Sequence, residues 1–291
     1  MLYEVLLHTK CSYDRMAAGR QALRVMPADE PGIQRLVAGA IDIDPAPHER
    51  IDRIDFFGNR TVDVCFNTPN ETIDVTVRAR VDRFGYPPAM DVSARLEDLP
   101  VELAAMRNLG STSPHHFVDT SPLVGPSPAI AEYVRDVMPK GATTMEIVGA
   151  INAALHRDLR YDGDATTVDT PLEEAFAKRR GVCQDFTHIM IACLREIGIP
   201  AGYVSGFLRT EPPKGKPRLE GADAMHAWVQ AWCGANAGWI EFDPTNAMMA
   251  GLDHIVAARG RDYFDVAPVR GVLRTAGSQD ISQSVDVIPL A

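Results

Sequence analysis

Thr72 to Asp82 reads TIDVTVRARVD, an unbroken alternation that puts Ile73, Val75, Val77, Ala79 and Val81 on one side and polar residues on the other. A period of two cannot serve a helix, so this stretch predicts a half-buried antiparallel strand. Tyr3 to Thr9, Gln21 to Met26, Ile51 to Phe57 and Thr61 to Phe66 are further β-rich runs. Gly58-Asn59 and Thr68-Pro69-Asn70 read as the turns between them. The expected architecture of the first hundred or so residues is an antiparallel β-sandwich. Pro87-Pro88 interrupts it, and the Ser- and Pro-rich segment from Ser111 to Pro128 reads as a linker. The expected division is residues 1–110 and 111–291, an α+β chain of two domains.

Beyond the linker the period changes to that of a helix. Ser127-Pro128 has the form of an N-cap followed by proline, ahead of the stripe Ile130, Tyr133, Val134 and Val137. Thr143 with Glu146 forms a capping box, and Thr170-Pro171-Leu172-Glu173 opens a third helix, expected to end at Gly181. A fourth, GVCQDFTHIMIACLREIGIP, carries one apolar stripe through Phe186, Ile189, Met190, Cys193, Leu194 and Ile197.

Composition narrows the function classes. Asp plus Glu outnumber Lys plus Arg by 39 to 29, the wrong balance for a phosphate-backbone binder, so nucleic acid is not an expected partner. No apolar run reaches membrane-span length and Met1 to Lys10 lacks the features of a signal peptide; a membrane is not expected, and the expected location is cytoplasmic. Five scattered cysteines suit reduced thiols better than a disulfide framework.

One of the five falls where chemistry is possible. Cys183 lies three residues before Phe186, in the first turn of the fourth helix, where the positive end of the helix dipole favours thiolate. Cys193 sits mid-helix in the stripe and reads as a small buried hydrophobe; Cys183 could be the same. A nucleophilic cysteine needs a base and a group to orient that base. His226 to Trp232 and Trp239 to Asp243 alternate like paired strands around a turn at 234–238. With paired positions summing to about 469 to 471, His226 falls opposite residues 243 to 245, beside Asp243. Such a pair fixes an imidazole's tautomer and stabilises its cation. The plainer alternatives are a structural hydrogen bond, or a turn-starting Asp-Pro that never meets the histidine.

Three blocks carry a resemblance: GDATTVDTPLEEAFAKRRGVCQDFTHIMIACLREIGIPAGYVSGFL, MHAWVQAWCGANAGWIEFDPTN and HIVAARGRDYFDVAPVRGV. They resemble the bacterial transglutaminase-like proteins of the papain-like cysteine-enzyme superfamily, and the N-terminal strands with IDRIDFFGN resemble the β-rich domain preceding that core. The resemblance implies a papain-like core of helices packed on an antiparallel sheet, to which the last strands, Ser284 to Ile288 among them, are expected to return. It implies Cys183 as nucleophile, His226 as general base and Asp243 as orienting acid. The chain departs from the family at Gly202, commonly arginine, and at Met225, commonly serine.

The implied chemistry is acyl transfer at a peptide or protein amide through a thioester. Hydrolysis is the favoured outcome, with glutamine cross-linking to an amine or a non-catalytic peptide-binding cleft as alternatives. Gln184, Tyr161, Trp228, Arg261 and Tyr263 are candidate oxyanion or substrate contacts. No cofactor is called for. A metal site is not expected either, because Cys183, His188 and Cys193 step five residues apart on one helix and cannot converge. The same stepping puts His188 on the helix's solvated face, and His115-His116 reads as a surface pair.

Overall fold

In a computed structural model of the chain, residues 1–85, 90–210, 221, 223–275 and 277–290 are described; Pro87-Pro88 lies outside them. Four strands build the first unit: β1 (Leu2–Leu23), β2 (Gln34–Asp44), β3 (Glu49–Ile54) and β4 (Arg60–Arg83). β1 and β4 run antiparallel from Leu2↔Asp82 to Ser12↔Thr72, slip in register around Ala17, and continue from Gly19↔Phe66 to Leu23↔Val62. β2 and β3 flank the two halves of β4. Tyr3 to Thr9 with Gln21 to Leu23, and Thr61 to Phe66 with Thr72 to Asp82, are therefore parts of two long bent strands, while the run from Ile51 forms the separate β3. Thr68-Pro69-Asn70 lies within β4 at the slip, where the ladder is already interrupted and a missing proline N–H costs nothing.

The second unit begins with α1 (Leu99–Ala105) and a 3-10 turn at Pro114–Phe117, followed by α2 (Pro128–Val137) and α3 (Thr144–Asp158). Then come β5 (Arg160–Tyr161), α4 (Leu172–Lys178), β6 (Arg180–Gly181) and α5 (Cys183–Glu196). The capping box of Thr143 and Glu146 is present at the start of α3. α4 stops two residues earlier than expected, at a left-handed Arg179 (φ 53°), and Arg180-Gly181 pairs in parallel with β5. The sheet behind these helices contains β7 (Ala201–Leu208), β8 (Ala224–Trp232), β9 (Trp239–Asp243), β10 (Met248–Met249) and β11 (His254–Gly260), in the antiparallel order β10-β9-β8-β7-β11. The α5 stripe from Phe186 to Leu194 is buried against Ala227, Val229 and Ala231 of β8 and the helices α2 to α4.

After the short α6 (Tyr263–Val266), the chain returns to the first sheet. β12 (Val269–Arg274) and β13 (Gln279–Leu290) both pair with β1, so the last strands, with Ser284 to Ile288, do not join the sheet carrying His226 and Asp243 as expected. Val285 and Val287 are buried with Val5 and Leu7, whose strand lies directly beside theirs. Alternation marks a strand but does not say which edge it joins. At the other crossing, Leu99 is already buried in the helical core.

The two units share their boundary. Phe207, Ile255 and Ala257 of the second sheet are buried in the core of the first. β11 is an edge strand whose outward backbone groups would otherwise be unpaired in the interior. Gln34 fills that role with one amide, accepting from Val256 N–H and donating to its carbonyl, and Asn59 does the same at Arg259. Gly206, paired with His226 across β7 and β8, leaves no room for a side chain, because a Cβ there would overlap the Ile255 carbonyl and meet the Trp228 ring at 2.5 Å. Gly206→Ala is expected to cost about 1–3 kcal/mol, measured as a lower denaturation midpoint in urea at unchanged slope.

Candidate active site

Cys183 opens α5 after an extended Val182 (φ −103°, ψ 178°). Asp185 closes the first turn, its Oδ2 accepting from the Val182 N–H at 2.8 Å and from the Thr166 hydroxyl at 2.6 Å. The N–H groups of Cys183 and Gln184, which an α-helix leaves unpaired at its start, have no acceptor among the described residues. Cys183 is the one cysteine that is not fully buried.

His226, near the start of β8, turns its Nε2 to Asp243 Oδ2 at 2.8 Å. Cys183 lies against the same ring, close enough for its thiol to bias the ring's titration. With Nε2 committed to Asp243, Nδ1 is the nitrogen left for the sulfur. Burial by itself would lower the His226 pKa, but the hydrogen bond to Asp243, followed by the interaction with Cys183, raises it to about 10. The partners thus favour the protonated ring.

Asp243 is fully buried at the end of β9. Its Oδ1 accepts from the N–H groups of Thr245 and Asn246, so it starts the Asp-Pro turn and also orients the histidine. Oδ2 accepts from His226, from Asn246 Nδ2 at 2.7 Å and from His254 Nε2 at 3.1 Å. Burial would raise this carboxyl, but the donors from His226 and His254, the charge of His226 and the Asn246 amide hold it well below the ordinary carboxylate range.

The secondary candidates separate. Tyr161, exposed, and Tyr263, half-buried, both lie beside Cys183; burial first and the sulfur second push their phenols upward. Gln184 donates one amide hydrogen to the Val168 carbonyl at 3.1 Å and so tethers a loop. Trp228 is completely buried, its Nε1 donating to Glu241 at 2.6 Å, and no substrate can reach it. Arg261 is bound to Asp265 at 2.8 Å and lines a separate cavity of about 470 Å³ with Arg24, Phe56, Phe264 and Arg270.

His188 contradicts the expectation of a solvated face. It is buried, accepts from the Tyr263 N–H at 3.2 Å and packs on Tyr203 with ring centroids 5.3 Å apart. Burial, partly opposed by Asp262 and assisted by Arg195, drops its pKa to about 4. On that side the helix meets β7 through Tyr203 and the start of α6 through the Tyr263 N–H, elements that a helical wheel does not contain. His115 and His116, read as a surface pair, are both partly buried, and His116 meets Phe56 at right angles with ring centroids 5.1 Å apart. His254 and Asn246 were missed. Asn246 had a local signal, an amide three residues after an Asp-Pro, whereas His254 had none beyond its place in the HIVAARG block.

Known proteins resemble this chain in sequence and in fold. Residues 131–244 match the transglutaminase-like superfamily, and residues 3–82 match the bacterial transglutaminase-like N-terminal region. The uncharacterized proteins Rv2569c of Mycobacterium tuberculosis and Mb2599c of Mycobacterium bovis are each 37% identical over 266 residues, covering 88% of this chain and 82% of theirs. The crystal structure of "a Putative Cysteine Protease from Cytophaga hutchinsonii" superposes with a TM-score of 0.76 at 20% identity, covering all of this chain and 92% of that one. Two family matches in the right order, relatives alike over most of their length and a shared fold have one reading: the chain belongs to the bacterial transglutaminase-like family.

Proposed function

We propose that the protein is a cysteine hydrolase acting on a peptide bond or a glutamine side-chain amide through Cys183, His226 and Asp243. The observation that carries this is the placement of Cys183 at the open start of a buried helix, against an imidazole whose far nitrogen is held by a buried carboxylate. The Cys183 sulfur, its proton resting on His226, attacks the carbonyl carbon and forms a C–S bond. The oxyanion so formed lies at the N–H groups that begin α5. The C–N bond breaks as His226 gives its proton to the leaving amine, and a thioester remains. Water then adds to the thioester while His226 takes its proton, releasing the acid and restoring the thiol.

The fold shared with the "Putative Cysteine Protease from Cytophaga hutchinsonii" supports hydrolysis over cross-linking. A glutamine-containing peptide incubated with and without a primary amine tests it. Hydrolysis yields cleaved or deamidated peptide at the same rate in both. Incorporation of the amine as the main product would replace this reading with a transglutaminase.

Thiol reactivity tests the nucleophile directly. Iodoacetamide at pH 6 is expected to label Cys183 first, by mass spectrometry of the digest. Cys193 and Cys233 are fully buried with thiols pushed up to about 12, Cys11 is raised by burial, and Cys65 is buried and bonded to Asn67. Labelling spread evenly over the five would remove the activated thiol.

A further inference from the structure

His254 is buried on β11, and the chemistry above gives it no task. Its Nδ1 lies 3.2 Å from the backbone nitrogen of Gly251, a group that can only donate. That contact fixes the tautomer: Nδ1 holds the lone pair, so the hydrogen is on Nε2, directed at Asp243 Oδ2. The ring is locked in place by Trp228, which meets it edge-on at 5.2 Å and stacks on His226 at 6.2 Å. Trp228 is in turn anchored by Glu241, itself ion-paired with Arg259.

His226, Asp243 and His254 bring their ligand atoms within 4.8 Å of one another, which is also the spacing of a metal-binding set. The tautomer argues against that use. Coordination through His254 Nε2 would move its proton to Nδ1, facing the Gly251 N–H and leaving two donors opposed in a buried place.

We propose that His254 is a positioning residue: its Nε2–H holds Asp243 Oδ2 in line with His226 and withdraws part of the carboxylate's charge. This rests on the reading of Cys183 as nucleophile and His226 as base. Asn246 and two backbone N–H groups hold the turn side of Asp243, and His254 is the donor that holds the carboxylate from the β11 side. Among the described residues, the titratable groups around His226 are Cys183 from α5, Asp243 from β9 and, through that carboxylate, His254 from β11. Without His254 the carboxylate is looser and more basic. His226 is then oriented less well and binds its proton more tightly.

The test compares His254→Phe, which keeps a ring but no donor, with His254→Gln, which places an amide N–H near the original Nε2. With p-nitrophenyl acetate as probe, the phenylalanine variant is expected to lose about tenfold to hundredfold in kcat with KM within about twofold. The alkaline limb of its Cys183 alkylation profile should move to higher pH. The glutamine variant should recover most of the loss. Equal losses in the two variants, or an unmoved profile in the phenylalanine variant, overturn the proposal in favour of simple packing.

A second measurement uses the unmodified protein, should either variant not fold. 15N NMR of labelled histidines is expected to show His254 protonated on Nε2 and bare on Nδ1, with no change on adding Zn²⁺. A proton on Nδ1, or a zinc-induced shift, overturns the proposal. If His226→Ala leaves Cys183 alkylation unchanged, it is the base assignment that fails. That control does not involve the His254 variants, so the two failures are told apart.

Discussion

Cys183→Ala is expected to leave a folded protein that forms no acyl-enzyme from p-nitrophenyl acetate, a loss of about 10⁶-fold in kcat. Cys183 is half-buried at the first position of α5, and alanine is a better helix former of smaller volume, so the melting temperature should change little. The chemistry has no substitute for the sulfur. Cys193, on the same helix, is enclosed in the core, and the remaining three thiols are buried elsewhere. Intact-mass analysis after rapid quench, alongside a thermal melt, reads both halves of the expectation. An acyl adduct persisting on the variant would move the nucleophile to another residue.

Asp243→Ala is expected to damage both stability and chemistry. Five hydrogen bonds converge on this carboxylate, from His226, His254, Asn246 and the N–H groups of Thr245 and Asn246, in a place closed to water. Removing it strands a buried imidazolium and several donors, at a cost of about 3–5 kcal/mol, and lowers turnover by about 10⁴-fold. The stabilisation depends on pH in a defined window. The Asp243 pKa falls on folding, so its contribution is present above about pH 3.8 and lost as pH drops through the folded value. The His226 pKa rises from 6.5 to about 10, so its contribution is complete below pH 6.5 and lost as pH climbs toward 10. Both shifts describe the same ion pair and are counted once. Urea denaturation should therefore show the largest gap between wild type and Asp243→Ala from about pH 4 to 6.5, narrowing toward pH 10. A gap that stays constant over that range would mean that His226 and Asp243 are not ionised together.

The residues that could be read in advance owe their legibility to short-range rules. The Cys183 helix was visible because an apolar stripe at spacings of three and four must be buried, and because the residue ahead of that stripe has to fall in the first turn. That His226 and Asp243 come close was visible because a short connection between two alternating runs limits the register; the strands pair as Trp232↔Trp239 and Val229↔Phe242, whose numbers sum to 471, a register that sets Asp243 level with position 228 and diagonal to His226, within side-chain reach. Where the expectations missed, the deciding contact came from far along the chain. Trp228 is a candidate substrate contact by sequence, but Val204, Val256 and Ala28 enclose it. Gln184 lies next to Cys183 in sequence, and its amide holds the Val168 carbonyl, sixteen residues back along the chain.

By itself, the amino-acid sequence determined the two periodicities, the helix start that holds Cys183 and the hairpin that brings His226 toward Asp243. Each is set by residues within about 20 positions of one another, where backbone geometry leaves few choices. Only the tertiary structure decided that the last strands join β1, that His188 meets β7 and the start of α6, and that His254 donates to the carboxylate that orients His226. Those outcomes depend on which surfaces meet when the sheets and helices pack. Burial rewards any apolar face that is covered, so the pattern of a strand or helix states that it will be covered without naming the partner.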